Sequence, residues 1–369
     1  MLFLGIAVAS VGFTMALQMG VNANFVADVM KLSGFQVGML EAVRESCGIL
    51  ALGILALLAG FAEPMVGAAM LLLLAAGIAG YGFVPSYGWL VAVSVVWSQG
   101  LHVWMPLPDS MTLGLAEPGR AGFRIGQIRA GGAAGFALGI AAALGLTLLG
   151  VEIRPMFVVA AAAALLGAAA CFGIPRGIKT PGPRLVFRRR YALYYALSFL
   201  EGWRKQIFIC FAGFLLVRVY ATPLPVILVL FGTVQVIGYF ASPRVGRLID
   251  QVGERRVLVF YYACLSAFFV GYAFIPVRGV LYVLFVVDNA FFVFGTALTT
   301  FVGRMAAPSE YTPTLSMGVA MNHVSAVIMP VVGGILWIRL GYQWAFLVGA
   351  AAAALSIFVA LRVPRHRTG

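Results

Sequence analysis

The sequence predicts an all-α integral membrane protein: twelve transmembrane helices arranged as two parallel six-helix halves. Three observations carry this. The 369 residues are 62% hydrophobic and only 10% charged, with a mean hydropathy of +1.02. A soluble domain covers its core with roughly a quarter charged residues, so this chain cannot present a wettable surface. Apolar runs of about 20 residues recur along the whole length, each long enough to cross ~30 Å of hydrocarbon. Finally, two segments of the first half recur in the second at one fixed spacing.

Taken in order, apolar runs between Gly, Pro and charge breaks fall near 2–22, 36–61, 65–84, 88–112, 121–149, 155–174, 191–219, 223–242, 257–275, 279–301, 312–337 and 343–362. The run that begins at Leu2 lacks a basic leader and a small-residue cleavage site, and reads as a retained first span rather than a signal peptide. The connector "IPRGIKTPGPRLVFRRR" holds three prolines and six cations. It divides the chain into a first bundle, 1–174, a basic cytoplasmic linker, 175–190, and a second bundle, 191–369, with a short tail. Twelve spans in this length leave no room for a soluble catalytic domain.

The net charge of +13 suggests nucleic acid until its distribution is read. With the N-terminus inside, the inner connectors hold sixteen cations: Arg120, Arg124, the six of the linker, Arg244, Arg247, Arg255, Arg256, Arg304, Arg362, Arg365 and Arg367. The outer connectors hold five, Lys31, Arg154, Arg218, Arg278 and Arg339. Basic residues gather on the cytoplasmic side of short loops. Both termini are therefore expected in the cytoplasm, in a prokaryotic inner membrane, with no nucleic-acid partner. Cys47, Cys171, Cys210 and Cys264 stand singly in apolar runs, without disulfide or metal spacing. No metal or other cofactor is expected.

The repeat is specific in its spacing. "GYGFVP" (80–85) returns as "GYAFIP" (271–276), and "GWLVAVSVVW" from Gly88 returns as "GVLYVLFVVD" from Gly279. Both offsets are 191 residues. Parallel repeats of this kind build transporters that alternate access to a central site.

The segment "GRLIDQVGERR", Gly246 to Arg256, reads as the inner loop between spans 8 and 9. Its Gly246-x-x-x-Asp250-x-x-Gly253-x-Arg255-Arg256 pattern resembles the loop signature of the major facilitator superfamily. Twelve spans, the basic linker and the repeat fit that family along nearly the whole chain. "PVVGG" (330–334) in span 11 looks like its Gly/Pro helix-packing element, and "RAGGAAGFALG" from Arg129 in span 5 keeps the glycines without the proline. The resemblance implies a cytoplasmic gate in which Arg247 and Asp250 bond to the inner end of span 5, between Arg120 and Arg129. Glycines at 246 and 253 suit a tight turn. The first-half copy is degenerate: "GFAEPMVG" carries Glu63 as its sole charge.

A charge at mid-membrane costs on the order of 3 kcal/mol, so each one marks a candidate site. Span 7 carries Glu201, Arg204 and Lys205. Glu201 reaches the two cations at i+3 and i+4, leaving one cation for an anionic solute group or a carboxylate of the other half. Span 2 carries Glu41, Arg44 and Glu45 on one face, a candidate proton carrier that can pair with span 7. Further embedded groups are Gln99, His102 and Asp109 in span 4, Arg129 in span 5, Gln235 in span 8, Asp288 and Asn289 in span 10, and Asn322 and His323 in span 11. By the resemblance, spans 1, 4, 7 and 10 line the cavity. The 191-residue offset places Trp97-Ser98-Gln99 on Asp288-Asn289-Ala290, and Trp97 and Trp104 offer an aromatic wall. Asn322 and His323 equally suit simple bonding across helices.

The leading expectation is a secondary active transporter of a small polar or charged organic solute, proton-coupled and functional as a monomer in the lipid bilayer. No GxxxxGK[ST], HExxH or GxSxG pattern occurs, so no enzyme is expected. The alternative is a non-transporting receptor or assembly protein that keeps the transporter fold.

Overall fold

Hydrocarbon offers the backbone no hydrogen-bond partner, so a spanning segment of this composition must satisfy its own amides as helix. A computed structural model of the chain describes residues 1–58, 60–117, 121–179, 187–306 and 308–364. Among them are fourteen α-helices: α1 (Leu2–Asn24), α2 (Gly34–Leu57), α3 (Glu63–Tyr81), α4 (Tyr87–Trp104), α5 (Leu107–Leu115), α6 (Ala121–Leu148), α7 (Ile153–Cys171), α8 (Ala192–Arg218), α9 (Leu224–Val252), α10 (Glu254–Phe274), α11 (Arg278–Phe291), α12 (Thr296–Met305), α13 (Pro308–Leu340) and α14 (Tyr342–Ala360). The protein is thus an all-helical membrane protein, as expected. Among the described residues, ten segments are long and apolar enough to cross a membrane. In this count α4 with α5, and α11 with α12, each form one segment. Helices α2 and α8 have the length, 24 and 27 residues, but carry Glu41, Arg44 and Glu45, and Glu201, Arg204 and Lys205, near their middles.

The chain divides into two compact units. One comprises Met1–Lys31, Val43–Pro183 and Pro223–Gly232; the other comprises Leu32–Ala42, Arg184–Thr222 and Thr233–Gly369.

In the first unit, α1 lies against α6 and α7, and α3 against α4 and α7. Lipid tails are as apolar as the helices, so packing depends on close backbone approach at small residues. The glycines of "RAGGAAGFALG" supply it: a Cβ at Gly135 would fall 2.0 Å from the Ala9 carbonyl oxygen. In the second unit, α8 packs on α13 and α14, and α10 on α14. There "PVVGG" performs the same task for the start of α2, since a Cβ at Gly38 would lie 2.0 Å from the Pro330 oxygen.

The sequence repeat is carried into the packing of each unit. Tyr81 packs on Phe157 of α7 with ring centroids 5.0 Å apart; Tyr272, 191 residues on, stacks on Phe346 of α14, also at 5.0 Å. The fourth helix of each half is broken at the equivalent place. α4 ends at Trp104, just before Pro106, which has no amide to donate and clashes with the preceding turn. Its counterpart α11 gives way to a tight turn over Phe292–Gly295, and 104 + 191 = 295.

One expectation about local structure is corrected. The segment from Gly246 is not a loop. Helix α9 continues to Val252, and only Gly253, at φ 82°, separates it from α10. A Cβ at Gly246 would meet no described atom within 4 Å, so that glycine makes neither a turn nor a close contact here. The physical reason is that Arg247, Leu248, Ile249, Asp250 and Gln251 contain no helix breaker; Gly253 alone supplies the conformation that L side chains resist.

Candidate functional site

The second unit buries a group of ionisable side chains around one arginine. Arg204 and Glu201 stand one turn apart on α8, so both project toward the face covered by α10 and α11. Arg204 is 0% exposed. Its Nη2 donates to Glu201 Oε1 and, over 2.7 Å, to the Tyr261 hydroxyl of α10. The Tyr261 hydroxyl in turn donates to Glu201 Oε1 over 2.9 Å. Asp288 of α11, also 0% exposed, brings Oδ1 to 3.8 Å from Arg204 Nη1. The guanidinium carbon lies 5.3 Å from the Tyr261 ring centroid and 4.7 Å from that of Phe292, an aromatic enclosure that suits a desolvated cation. Neither oxygen of Asp288 accepts a hydrogen bond from a described residue. The Glu201 side chain is 12% exposed, and its second oxygen, Oε2, is buried and accepts no hydrogen bond from a described residue.

This corrects two expectations for span 7. Glu201 pairs with Arg204 but not with Lys205, which makes no hydrogen bond or ion pair with a described residue. The second carboxylate beside Arg204 comes from Asp288 of the same unit rather than from elsewhere. Both follow from the direction of Arg204, which turns into the interior formed with α10 and α11. Sequence reasoning does not single out Tyr261. A tyrosine in "VFYYACL" reads as apolar filling, and its one signal is that a buried phenol needs a hydrogen-bond partner.

On α13, Asn322 Nδ2 donates to the Ser198 carbonyl over 3.4 Å, a bond across helices. A Cβ at Gly202 would lie 2.4 Å from the Asn322 carbonyl oxygen, which explains how closely α8 and α13 approach there. Asn289 and His323 are half-buried.

The first unit holds a second polar group. The Arg44 guanidinium carbon lies 5.1 Å from the ring centroid of Trp97, and its Nη2 is 4.0 Å from Glu45 Oε1. Ser98 Oγ donates to the Arg44 carbonyl over 2.8 Å, and His102 Nδ1 lies 2.8 Å from the Ser98 carbonyl. Gln99 Nε2 reaches the Cys47 carbonyl at 3.5 Å. Trp97 is 2% exposed, and Trp104 is buried against Gly67. Glu41 lies on the part of α2 that belongs to the second unit and is buried there. Asp109 and Arg129 pair with each other, Oδ2 to Nη2 at 2.8 Å, with the Arg129 side chain largely exposed and Asp109 half-buried.

Of the gate residues, Arg247, Asp250 and Arg256 are exposed and Arg255 is half-buried. Within their unit, Arg247 and Asp250 make no hydrogen bond or ion pair with a described residue. Arg120 lies outside the described residues. The buried charge of that stretch is Glu254, which the sequence pattern does not mark; its Oε1 sits 2.9 Å from Arg304 Nε of α12.

Comparison with known proteins places this architecture. Residues 195–369 match the family model of the Major Facilitator Superfamily. Over 98% of the chain, the fold is similar to that of a point mutant of the nucleoside transporter NupG, with a TM-score of 0.81, 16% identity and 99% of that chain covered. A bacterial homolog of the human lysosomal transporter Spinster, inward-facing and occupied, gives 0.77 at 14% identity, with all of this chain and 98% of the other covered. A D-xylose–proton symporter gives 0.77 at 13% identity over 99% of this chain and 97% of the other. No curated protein matches in sequence. The chain is thus similar to the Major Facilitator Superfamily in sequence over residues 195–369, and to these transporter structures in fold over nearly its full length.

Proposed function

We propose that the chain is a secondary active transporter that moves a small polar or charged organic solute by alternating access, coupled to protons. The six-helix halves 1–174 and 191–369 are the moving bodies, joined by the linker 175–190. The fold likeness to transporters of nucleosides and of a sugar supports the class. The observation that carries the coupling is the pair of carboxylates, Glu201 and Asp288, around the fully buried Arg204.

Two carboxylates and one guanidinium leave the buried group one positive charge short. An uncompensated buried charge is strongly unfavourable, and neutralisation by a proton removes it. With a proton on Asp288, Arg204 remains bonded to Glu201 and Tyr261. When that proton leaves to water, the Asp288 anion 3.8 Å away competes for the guanidinium. Glu201 is then released from Arg204 and becomes free to engage a solute. Within the first unit, Arg44, Glu45, Trp97, Gln99 and His102 offer charge, an aromatic face and hydrogen-bonding groups of their own. Arg247, Asp250, Gly253, Arg255 and Arg256 form the cytoplasmic gate region. Both termini lie in the cytoplasm, in a prokaryotic inner membrane.

A thermal-melting screen in detergent tests the reading, using nucleosides, pentoses, amino acids and carboxylates at two pH values. A ligand that binds only the folded state raises the melting point by mass action. The expected result is a rise with one solute class that disappears in Arg204→Gln and in Glu201→Gln. A rise that survives both substitutions contradicts the assignment of the site.

A further inference from the structure

The two halves place a buried glutamate at the same repeat position, with different surroundings. Glu63 opens α3 and Glu254 opens α10, and 63 + 191 = 254. Glu63 is 0% and Glu254 4% exposed. Each holds the inner piece of the broken fourth helix of its half. Glu254 faces Arg304 on α12, with Nε and Oε1 2.9 Å apart. Glu63 accepts a hydrogen bond from Ser110 Oγ on α5 over 2.6 Å. The position equivalent to Arg304 is 304 − 191 = 113, which is Leu113, 57% exposed. The second oxygen of Glu63, Oε2, is buried and has no partner among the described residues.

We propose that the two repeat-related glutamates work in different charge states: Glu254 as the anion of an ion pair, and Glu63 as a protonated acid that is a proton-binding site of the first half. A helix N-terminus favours an anion, but both residues sit in a first turn, so that effect is common to the pair. What differs is the counter-charge. A carboxylate without one neutralises when buried, and a hydroxyl donor does not replace a guanidinium.

Among the described residues, the other charged groups on the elements around Glu63 are engaged elsewhere or exposed; His102 of α4 has its Nδ1 at the Ser98 carbonyl. Lys179, whose backbone bridges Ala62, has an exposed side chain. Asp109 is paired with Arg129, and Glu117 with Arg124. Helix α1 contributes no charged side chain, and α7 only Arg154, which donates to the Val84 carbonyl after the far end of α3. Loss of the Glu63 proton would leave a lone buried anion, a cost that the stronger bond from Ser110 offsets only in part. The same event at Glu254 is met by Arg304. The first-half anchor is therefore sensitive to protons.

Three variants of the full chain in detergent at neutral pH test this, read by melting point and by the infrared band of protonated carboxyl groups. Glu63→Gln is isosteric with the neutral acid; it should melt with the unsubstituted chain and remove part of that band. Glu254→Gln deletes the charge that faces Arg304; it should melt several degrees lower and leave the band unchanged. Leu113→Arg, at an exposed position, should supply the missing counter-charge and remove the same component as Glu63→Gln while Glu63 is still present. If the band persists in both Glu63→Gln and Leu113→Arg, the proposal is overturned. It is equally overturned if Glu63→Gln melts as low as Glu254→Gln. Neither result bears on Arg204 and Asp288, so the transporter reading stands or falls separately.

Discussion

Arg204 illustrates how much a single side chain can organise. It contacts Glu201 and Tyr261, faces Asp288, and lies between two aromatic rings with no exposure. Removing one partner of a buried ion pair typically costs about 3–5 kcal/mol, because the other charge is left uncompensated. Arg204→Met alone should therefore lower the melting point sharply. Arg204→Met with Glu201→Gln and Asp288→Asn should recover much of the loss, since no charge is then stranded. A triple variant no more stable than the single one would place the role of Arg204 in packing. Tyr261→Phe keeps the ring and deletes one hydroxyl that both donates and accepts, at a cost of about 1–3 kcal/mol. The same melting measurement reads it.

Among the elements, the α9–α10 junction and the linker end give direct tests. Gly253 has φ 82° and ψ 155°, a conformation essentially limited to glycine. Gly253→Ala should therefore cost on the order of 1–3 kcal/mol. Gly246→Ala, in the body of α9 with open space around it, should cost nothing measurable. At the start of α13, Glu310 accepts hydrogen bonds from Arg190 and from Tyr191, the latter at 2.8 Å. The Arg190 bond first, then the Tyr191 bond, hold the Glu310 carboxyl below its ordinary value of 4.5. An acid with a lowered folded-state pKa stabilises the fold above its ordinary value, and the contribution is lost as pH falls through the lowered one. Melting points should accordingly drop below about pH 4.5, and Glu310→Gln should flatten that part of the profile.

Helical content and nearly all helix positions are legible from hydropathy, because the bilayer leaves the backbone few choices. The break after Trp104 is announced by Pro106, whereas the matching turn at Phe292–Gly295 has no proline and looks like continuous span. The end of α9 is easily misplaced because its charged residues suggest a loop, although a run without Gly or Pro continues as helix. In the candidate site, Glu201 and Arg204 are legible from their one-turn spacing. Asp288 is legible as a buried acid on a repeat position, but its partner is not, since contacts between α8 and α11 leave no mark in the sequence. Glu63 and Glu254 share the 191-residue offset already visible in the neighbouring segments, and that regularity is the signal that finds them.

For the whole molecule, the charge asymmetry and the repeat set the terms. Sixteen cations in the connectors expected inside against five in those expected outside favour both termini in the cytoplasm. Reporter fusions at the C-terminus and at the outer turn after Val84 should give opposite cytoplasmic and external signals. The same sign at both sites would contradict the orientation. The central claim is that the buried carboxylates couple protons to solute movement. Its most direct measurement is uptake into proteoliposomes, with a solute found by the melting screen, with and without an imposed inward proton gradient. The account predicts accumulation that depends on the gradient and is lost in Asp288→Asn, while exchange of solute across a membrane without a gradient persists in that variant. Undiminished gradient-driven accumulation by Asp288→Asn would contradict it.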